Sequence, residues 1–219
     1  MTEQQSNYIK IIAVLSMLVD HVGLVLFPQY PILRMIGRIS FPLFAYQIGI
    51  GVSHTKDLKK YFLRLFIFGT IMQIGYSLVA TSIGEDPFAL NIFLSLALGI
   101  LSIYTYNKKL YILTLSTLTI PFFLSLIGIT VDYSSYGILL ILGMYLTRKT
   151  FLNLAIYTTL LTFIFSILWD YPIQMYAIIA LLFIAKPFSI KINIPQFFFY
   201  LFYPAHLVLI YLISELGFF

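Results

Sequence analysis

Long apolar runs, each closed by a short polar break, fill this chain from end to end. Runs of about 14–22 residues predict about nine helices, since about 20 apolar residues span a bilayer as a helix. They lie near 8–27, 36–54, 59–80, 89–105, 109–128, 135–147, 150–169, 172–186 and 196–214. The sixth and eighth are short for a full crossing and read as tilted or protein-wrapped pieces, where the length rule relaxes. Turn formers punctuate the breaks, as in Ile83-Gly84-Glu85-Asp86-Pro87 and Asp132-Tyr133-Ser134-Ser135. The expected fold is all-α, a polytopic integral membrane helical bundle in the cell membrane. It forms a single domain, 1–219, because no hydrophilic stretch approaches the ~50 residues of a separate soluble unit.

Composition agrees: 61% of residues are hydrophobic and 10% charged, with a mean hydropathy of +0.98. The net charge of +5 reflects topology, and nucleic-acid binding is not expected. Lys10; Lys56, Lys59, Lys60 and Arg64; Lys108 and Lys109; Arg148 and Lys149; and Lys186 and Lys191 fall on one face when successive spans alternate. The positive-inside rule makes that face cytoplasmic, giving an N-terminus inside and a C-terminus outside. The opposite loops hold Glu85, Asp86, Asp132 and Asp170, with Glu215 at the C-terminal end. Only Arg34 and Arg38 break the rule. The N-terminal segment lacks a basic region and a cleavage site, so the first span reads as a retained helix. The absence of cysteine excludes disulfides, thiolate metal sites and a cysteine nucleophile.

Within this apolar background Asp20 and His21 adjoin in the first span. A charged side chain at membrane depth costs about 2.5–3.5 kcal/mol and calls for a partner. At 1.5 Å per residue His21 lies about 20 Å from the cytoplasmic end, in the outer half of the membrane. Arg34 and Arg38, four residues apart and so on one helical face, can meet Asp20, either as a structural tie between the first two spans or as part of a site. His206, in Phe202-Tyr203-Pro204-Ala205-His206, follows a proline that can open its helix. Asn91 and Gln174 are neutral polar groups that can bond between helices or line a hydrated cavity. His54, Lys56, Lys59, Lys60 and Arg64 follow from topology alone or form a phosphate-binding rim. No Walker loop, dinucleotide fingerprint, HExxH or nucleophile elbow is present, no pair of histidines has metal-site spacing, and no metal is expected.

Three blocks, Lys10-Ile11-Ile12, Met17-Leu18-Val19-Asp20-His21-Val22-Gly23 and Leu33-Arg34-Met35-Ile36-Gly37-Arg38-Ile39-Ser40-Phe41-Pro42-Leu43-Phe44, resemble the opening of the TraX family. The likeness continues in order through Gly51-Val52-Ser53-His54-Thr55, Lys60-Tyr61-Phe62-Leu63-Arg64-Leu65, Asn91-Ile92-Phe93, Asp132-Tyr133, Tyr136-Gly137, Gln174-Met175-Tyr176-Ala177 and Phe202-Tyr203-Pro204-Ala205-His206-Leu207. The resemblance implies an integral membrane acetyltransferase of the pilin-acetylation type. More distantly, the chain is similar to transmembrane acyltransferases such as the lysosomal heparan-glucosamine N-acetyltransferase and the acyltransferase-three proteins. In these a cytoplasmic acyl-CoA serves an acceptor on the far side, with an intramembrane histidine that matches His21.

On this basis His21 is the expected base, Asp20 its orienting or balancing carboxylate, Arg38 an oxyanion partner and His206 a second proton carrier or acceptor binder. Adjacent helical residues diverge by about 100°, so Asp20 reaches His21 only by bending round the helix or through Arg38 and water. Arg34, His54, Lys56, Lys59, Lys60 and Arg64 are assigned to acyl-CoA, with acetyl-CoA the expected co-substrate. Asn91, Asp132, Gln174 and Tyr203 are assigned to the acceptor, a peptide or small molecule bearing an amine or hydroxyl. Two other readings compete: a proton-coupled transporter or flippase with Asp20, His21 and His206 as relay, and a structural subunit whose polar groups serve packing, alone or in an oligomer.

Overall fold

The computed structural model describes residues 1–82, 86–189 and 195–216. Glu85 and Lys191, which entered the topology reading, lie outside the described residues. The described residues are helical, with a lone parallel bridge between Leu90 and Val131. In order they form α1 (Glu3–Val25), α2 (Pro31–Gly37), α3 (Ser40–His54), α4 (Leu58–Ser82), α5 (Ile92–Asn107), α6 (Tyr111–Leu126), α7 (Ser134–Thr147) and α8 (Phe151–Leu168). A 3-10 segment (Pro172–Ile179), α9 (Ala180–Ala185) and α10 (Gln196–Glu215) follow. Five helical stretches are long and apolar enough to cross a membrane: Glu3–Val25, Pro31–His54, Leu58–Leu78, Phe151–Leu168 and Phe197–Glu215. Four shorter apolar stretches accompany them.

The chain folds into two compact units, one made of residues 1–47 and 159–219, the other of 48–158. In the first, α1 starts on a capping box: the Gln5 N–H donates to Thr2 Oγ1 (3.2 Å) and the Thr2 N–H to Gln5 Oε1 (2.9 Å). This reciprocal pair satisfies two of the donors every helix start leaves open. Pro31 opens α2, a position where its missing N–H costs nothing. The second predicted span, 36–54, is filled by α3 from Ser40, while α2, ending at Gly37, lies mostly in the connection expected before it. Here α1 packs on α2 and α10, and the 3-10 segment packs on α2. Ser6 Oγ donates to Gln47 Oε1 at 2.8 Å, tying α1 to the middle of α3.

In the second unit α7 is the core. Ile138, Leu140, Ile141 and Met144 have no solvent exposure, and α5 and α6 pack against the helix. A helix apolar all round belongs inside protein, which explains how the sixth predicted span is only 14 residues long. By contrast α4 carries Leu63, Phe66, Ile67, Ile71, Ile74 and Leu78 exposed, a surface suited to lipid. Its start is capped by Asp57, whose carboxylate accepts the Lys60 N–H at 3.0 Å. That bond holds the Asp57 carboxyl below the ordinary carboxylate range.

At Gly143 the close packing of α7 leaves no room for a methyl group: a Cβ would collide with the ring of Tyr157. The Tyr157 hydroxyl is fixed by donating to Leu139 O at 2.8 Å, so the ring cannot simply swing away. Gly143→Ala should cost about 1–3 kcal/mol of stability, the usual range for overpacking. Thermal unfolding in detergent measures the loss, and adding Tyr157→Leu should recover part of it.

Candidate active site

The first unit brings together the residues that stood out in the first span. Arg38 Nη2 donates to both oxygens of Asp20 (2.7 and 2.6 Å), and Arg34 Nη1 donates to Asp20 Oδ2 at 2.7 Å and to the Asp20 carbonyl at 3.2 Å. The three side chains are 12%, 10% and 21% exposed for Asp20, Arg38 and Arg34. The four-residue spacing of the arginines places them one turn apart at the end of α2, where both reach the same carboxylate. Gly37 makes the approach possible, because a Cβ there would occupy the position of the Asp20 carboxylate. One anion faces two cations, so the cluster keeps a net charge of about +1 in a poorly solvated place, where electrostatic interactions are stronger than in water.

His21 does not pair with Asp20. Its Nδ1 lies 2.7 Å from Nε2 of His206. The two rings are within 18° of coplanar with centroids 5.0 Å apart. That separation matches the nitrogen–nitrogen distance plus the two ring radii, so the rings meet edge to edge in a hydrogen bond and do not overlap. A direct contact by which Asp20 orients His21 is thus corrected: successive side chains on a helix diverge by about 100°, so Asp20 faces α2 while His21 faces α10. His206 is 4% exposed and His21 half-buried. His206 Nδ1 donates to Phe202 O at 2.7 Å. The Phe202 ring stacks on His206 (4.9 Å, 14°) and Tyr203 meets it edge-on (5.7 Å, 73°). Pro204 lies between these residues inside α10 and supplies no N–H to the helix.

The other predicted residues divide between the units. Tyr203 and Gln174 belong to the first, Gln174 1% exposed on the 3-10 segment that packs on α2. Asn91, Asp132, His54, Lys56, Lys59, Lys60 and Arg64 belong to the second. Asn91 is occupied structurally: Nδ2 donates to Gly69 O (2.7 Å) and Gln73 Oε1 (2.9 Å), and Oδ1 accepts the Phe93 N–H (3.0 Å) to cap α5. With both amide hydrogens and its oxygen committed, Asn91 ties α4 to α5, and its assignment to the acceptor is withdrawn. The Asp132 N–H donates to Leu90 O (2.9 Å) and its carbonyl accepts from Ser95 Oγ, so its backbone organises the loop before α7. Lys56, Lys59, Lys60 and Arg64 are exposed. Lys60 makes a 3.7 Å ion pair with Asp57, and the Arg64 guanidinium sits 5.4 Å from the Tyr61 ring centroid. Sequence reasoning missed Phe202, Gln73 and the steric role of Gly37. Only Gly37 carried a signal, as a glycine between two arginines inside a helical stretch.

A helical membrane protein with a charged cluster and a histidine pair inside one unit is the class these features define. The sequence pattern of the TraX protein family matches residues 5–214. The chain belongs to the TraX family. It is 32% identical over 111 residues to an uncharacterized protein of Rickettsia prowazekii (strain Madrid E), covering 49% of this chain and 41% of that protein. It is 29% identical over 142 residues to the probable fimbrial assembly protein FimC, serogroup H1, of Dichelobacter nodosus, covering 60% of this chain and 57% of that protein. The chain thus aligns with about half the length of these curated relatives. No solved structure matches.

Removing Asp20 should be far worse than removing the whole cluster. Asp20→Ala leaves two like charges without their anion and should cost about 3–5 kcal/mol, whereas replacing all three groups together by apolar residues of similar volume should restore most of the loss. Denaturation in detergent, compared across Asp20→Ala and Asp20→Leu/Arg34→Met/Arg38→Met, checks this ordering.

Proposed function

We propose that this protein is a membrane acyltransferase that moves an acyl group, acetyl first among them, from cytoplasmic acyl-CoA to an amine or hydroxyl at the outer side of the membrane. The observation that carries the reading is the His21–His206 contact: a half-buried imidazole, held by a second imidazole, beside a cluster with surplus positive charge. TraX membership supports it, through the resemblance to pilin acetylation. So does the relative named as a probable fimbrial assembly protein, and a pilin or other peptide N-terminus is the acceptor we favour. The chain would cross the cell membrane about nine times, N-terminus inside and C-terminus outside, using the five long and four shorter apolar stretches.

Acyl-CoA supplies the activated acyl group. The exposed ammonium and guanidinium groups of Lys56, Lys59, Lys60 and Arg64 fit its phosphates, since only Lys60 among them is drawn into an ion pair with Asp57. His21 takes the proton that the attacking amine or hydroxyl must lose, the ordinary work of an imidazole general base. Arg34 and Arg38, together more cationic than Asp20 can neutralise, favour negative charge developing on the acyl oxygen. An α-amine has a free pKa of about 7.7–8, so its neutral form is available and a base of modest strength suffices.

His21→Ala should lower transfer of label from acetyl-CoA by about 10²–10⁴ while the protein elutes as a folded species in detergent. Full retained activity would refute the role of His21. Transfer should also persist in detergent, where no proton gradient exists, whereas a proton-coupled transporter gives no such labelling. Replacing Lys56, Lys59, Lys60 and Arg64 by Gln should raise the KM for acyl-CoA more than it lowers kcat, and the wild-type KM should rise with salt because exposed charges are screened.

A further inference from the structure

The partners of His206 fix where the imidazole protons sit, and so which nitrogen of His21 is basic. Phe202 O can only accept, so Nδ1 of His206, 2.7 Å from it, carries a proton. A neutral imidazole has a single N–H, which leaves Nε2 of His206 bare and able only to accept. Nδ1 of His21, 2.7 Å from that nitrogen, is then the donor. Nε2 of His21 then keeps its lone pair. Each assignment follows from the hydrogen-bond network, one carbonyl setting both rings.

We propose that His206 is a positioning residue that holds His21 in the Nδ1–H tautomer, leaving Nε2 of His21 as the base. Isolated histidine favours the opposite tautomer, with Nε2 protonated and useless for accepting a proton, so the preference has to be imposed. Near-coplanar rings, 18° apart, give the N–H···N bond its alignment. The stacked Phe202 ring and the edge of Tyr203 hold the His206 ring against rotation. The contact also limits charge. Two imidazolium rings would point N–H at N–H across 2.7 Å, so the pair carries at most one extra proton. Beyond His206 the chain of bonds ends on a carbonyl, which has no proton to pass on. The pair therefore stores a proton at His21 and does not relay it, which argues against the transporter reading. The charged and titratable neighbours are Asp20, Arg34 and Arg38 towards α2, and Tyr203 on α10.

What Nε2 deprotonates rests on the acyl-transfer reading; the tautomer does not. In that reaction the acceptor nitrogen bonds to the acyl carbon while its proton passes to Nε2 of His21. The carbon–sulfur bond then breaks, the thiolate leaves with the electron pair, and it takes the proton back from Nε2. His21 ends as it began, with Nδ1–H still donated to His206.

The test is 15N NMR of the full chain in detergent, labelled at histidine. There are only three histidines, His21, His54 and His206, and His54→Gln and His21→Gln assign the signals. Without substrate, at neutral pH, His21 should show a protonated Nδ1 and a bare Nε2, with scalar coupling between its Nδ1 and Nε2 of His206. In His206→Ala the proton of His21 should move to Nε2 and transfer should fall by about 10²–10⁴. His206→Gln offers an amide oxygen to the same N–H, so it should keep the tautomer and recover activity to within about tenfold of wild type. A protonated Nε2 on wild-type His21, or no coupling between the rings, overturns the proposal whether or not the variants fold. If the tautomer is as stated and wild type shows no acyl transfer, the transferase reading falls and the positioning role stands.

Discussion

A carboxylate in the first apolar helix constrains everything built around it. Asp20 cannot stay ionised at membrane depth without partners, and its two oxygens accept three short charge-assisted hydrogen bonds from Arg34 and Arg38. For those arginines to arrive, the chain must turn back within a few residues of α1 and resume as a helix whose last turn faces Asp20. Pro31 starts that helix, and Gly37 leaves the space the carboxylate fills. The two arginines thus have a physical reason to sit where they do. Their net surplus of one positive charge lies in the same unit as His21 and His206.

Much of this fold is legible from apolar runs alone, because lipid-facing and core-facing helices in this chain are both apolar and differ from the breaks between them. The helix starts at Glu3, five residues before the predicted span 8–27, because the apolar run does not show the capping box that Thr2 and Gln5 form. The break at residues 38–39 was hidden because it is only two residues long, between Gly37, which packs against Asp20, and Ser40, where the helix resumes. The start of the eighth stretch was visible at Pro172, yet its 3-10 geometry was not. Asp20 meeting an arginine could be read from spacing, since a short connection joins the two. His21 meeting His206 could not, because 185 positions separate them and no periodicity links distant helices. Adjacency in sequence misled here: Asp20 and His21 look like a dyad, and the turn of the helix sends them to different neighbours. Asn91 was ambiguous for another reason. A buried amide serves a cavity or a helix contact equally well in sequence, and only the carbonyl of Gly69 and the side chain of Gln73 decide it.

That divergence has a chemical consequence. A carboxylate already accepting three bonds from guanidinium groups has little capacity left to take a proton from a substrate, so Asp20 is a poor base despite its place in the chain. Arginine does not give up its proton, and His206 spends one nitrogen on a carbonyl and the other on His21. Among these groups only His21 retains a bare nitrogen on a half-buried ring. A single step along α1 thereby separates two tasks: the residue facing α2 settles the charge balance that lets the helices pack, and the next residue, facing α10, is left to meet His206. Had the carboxylate and the imidazole shared a face, Asp20 could have accepted the Nδ1–H of His21 in place of His206, but only by giving up bonds to the two arginines it now balances.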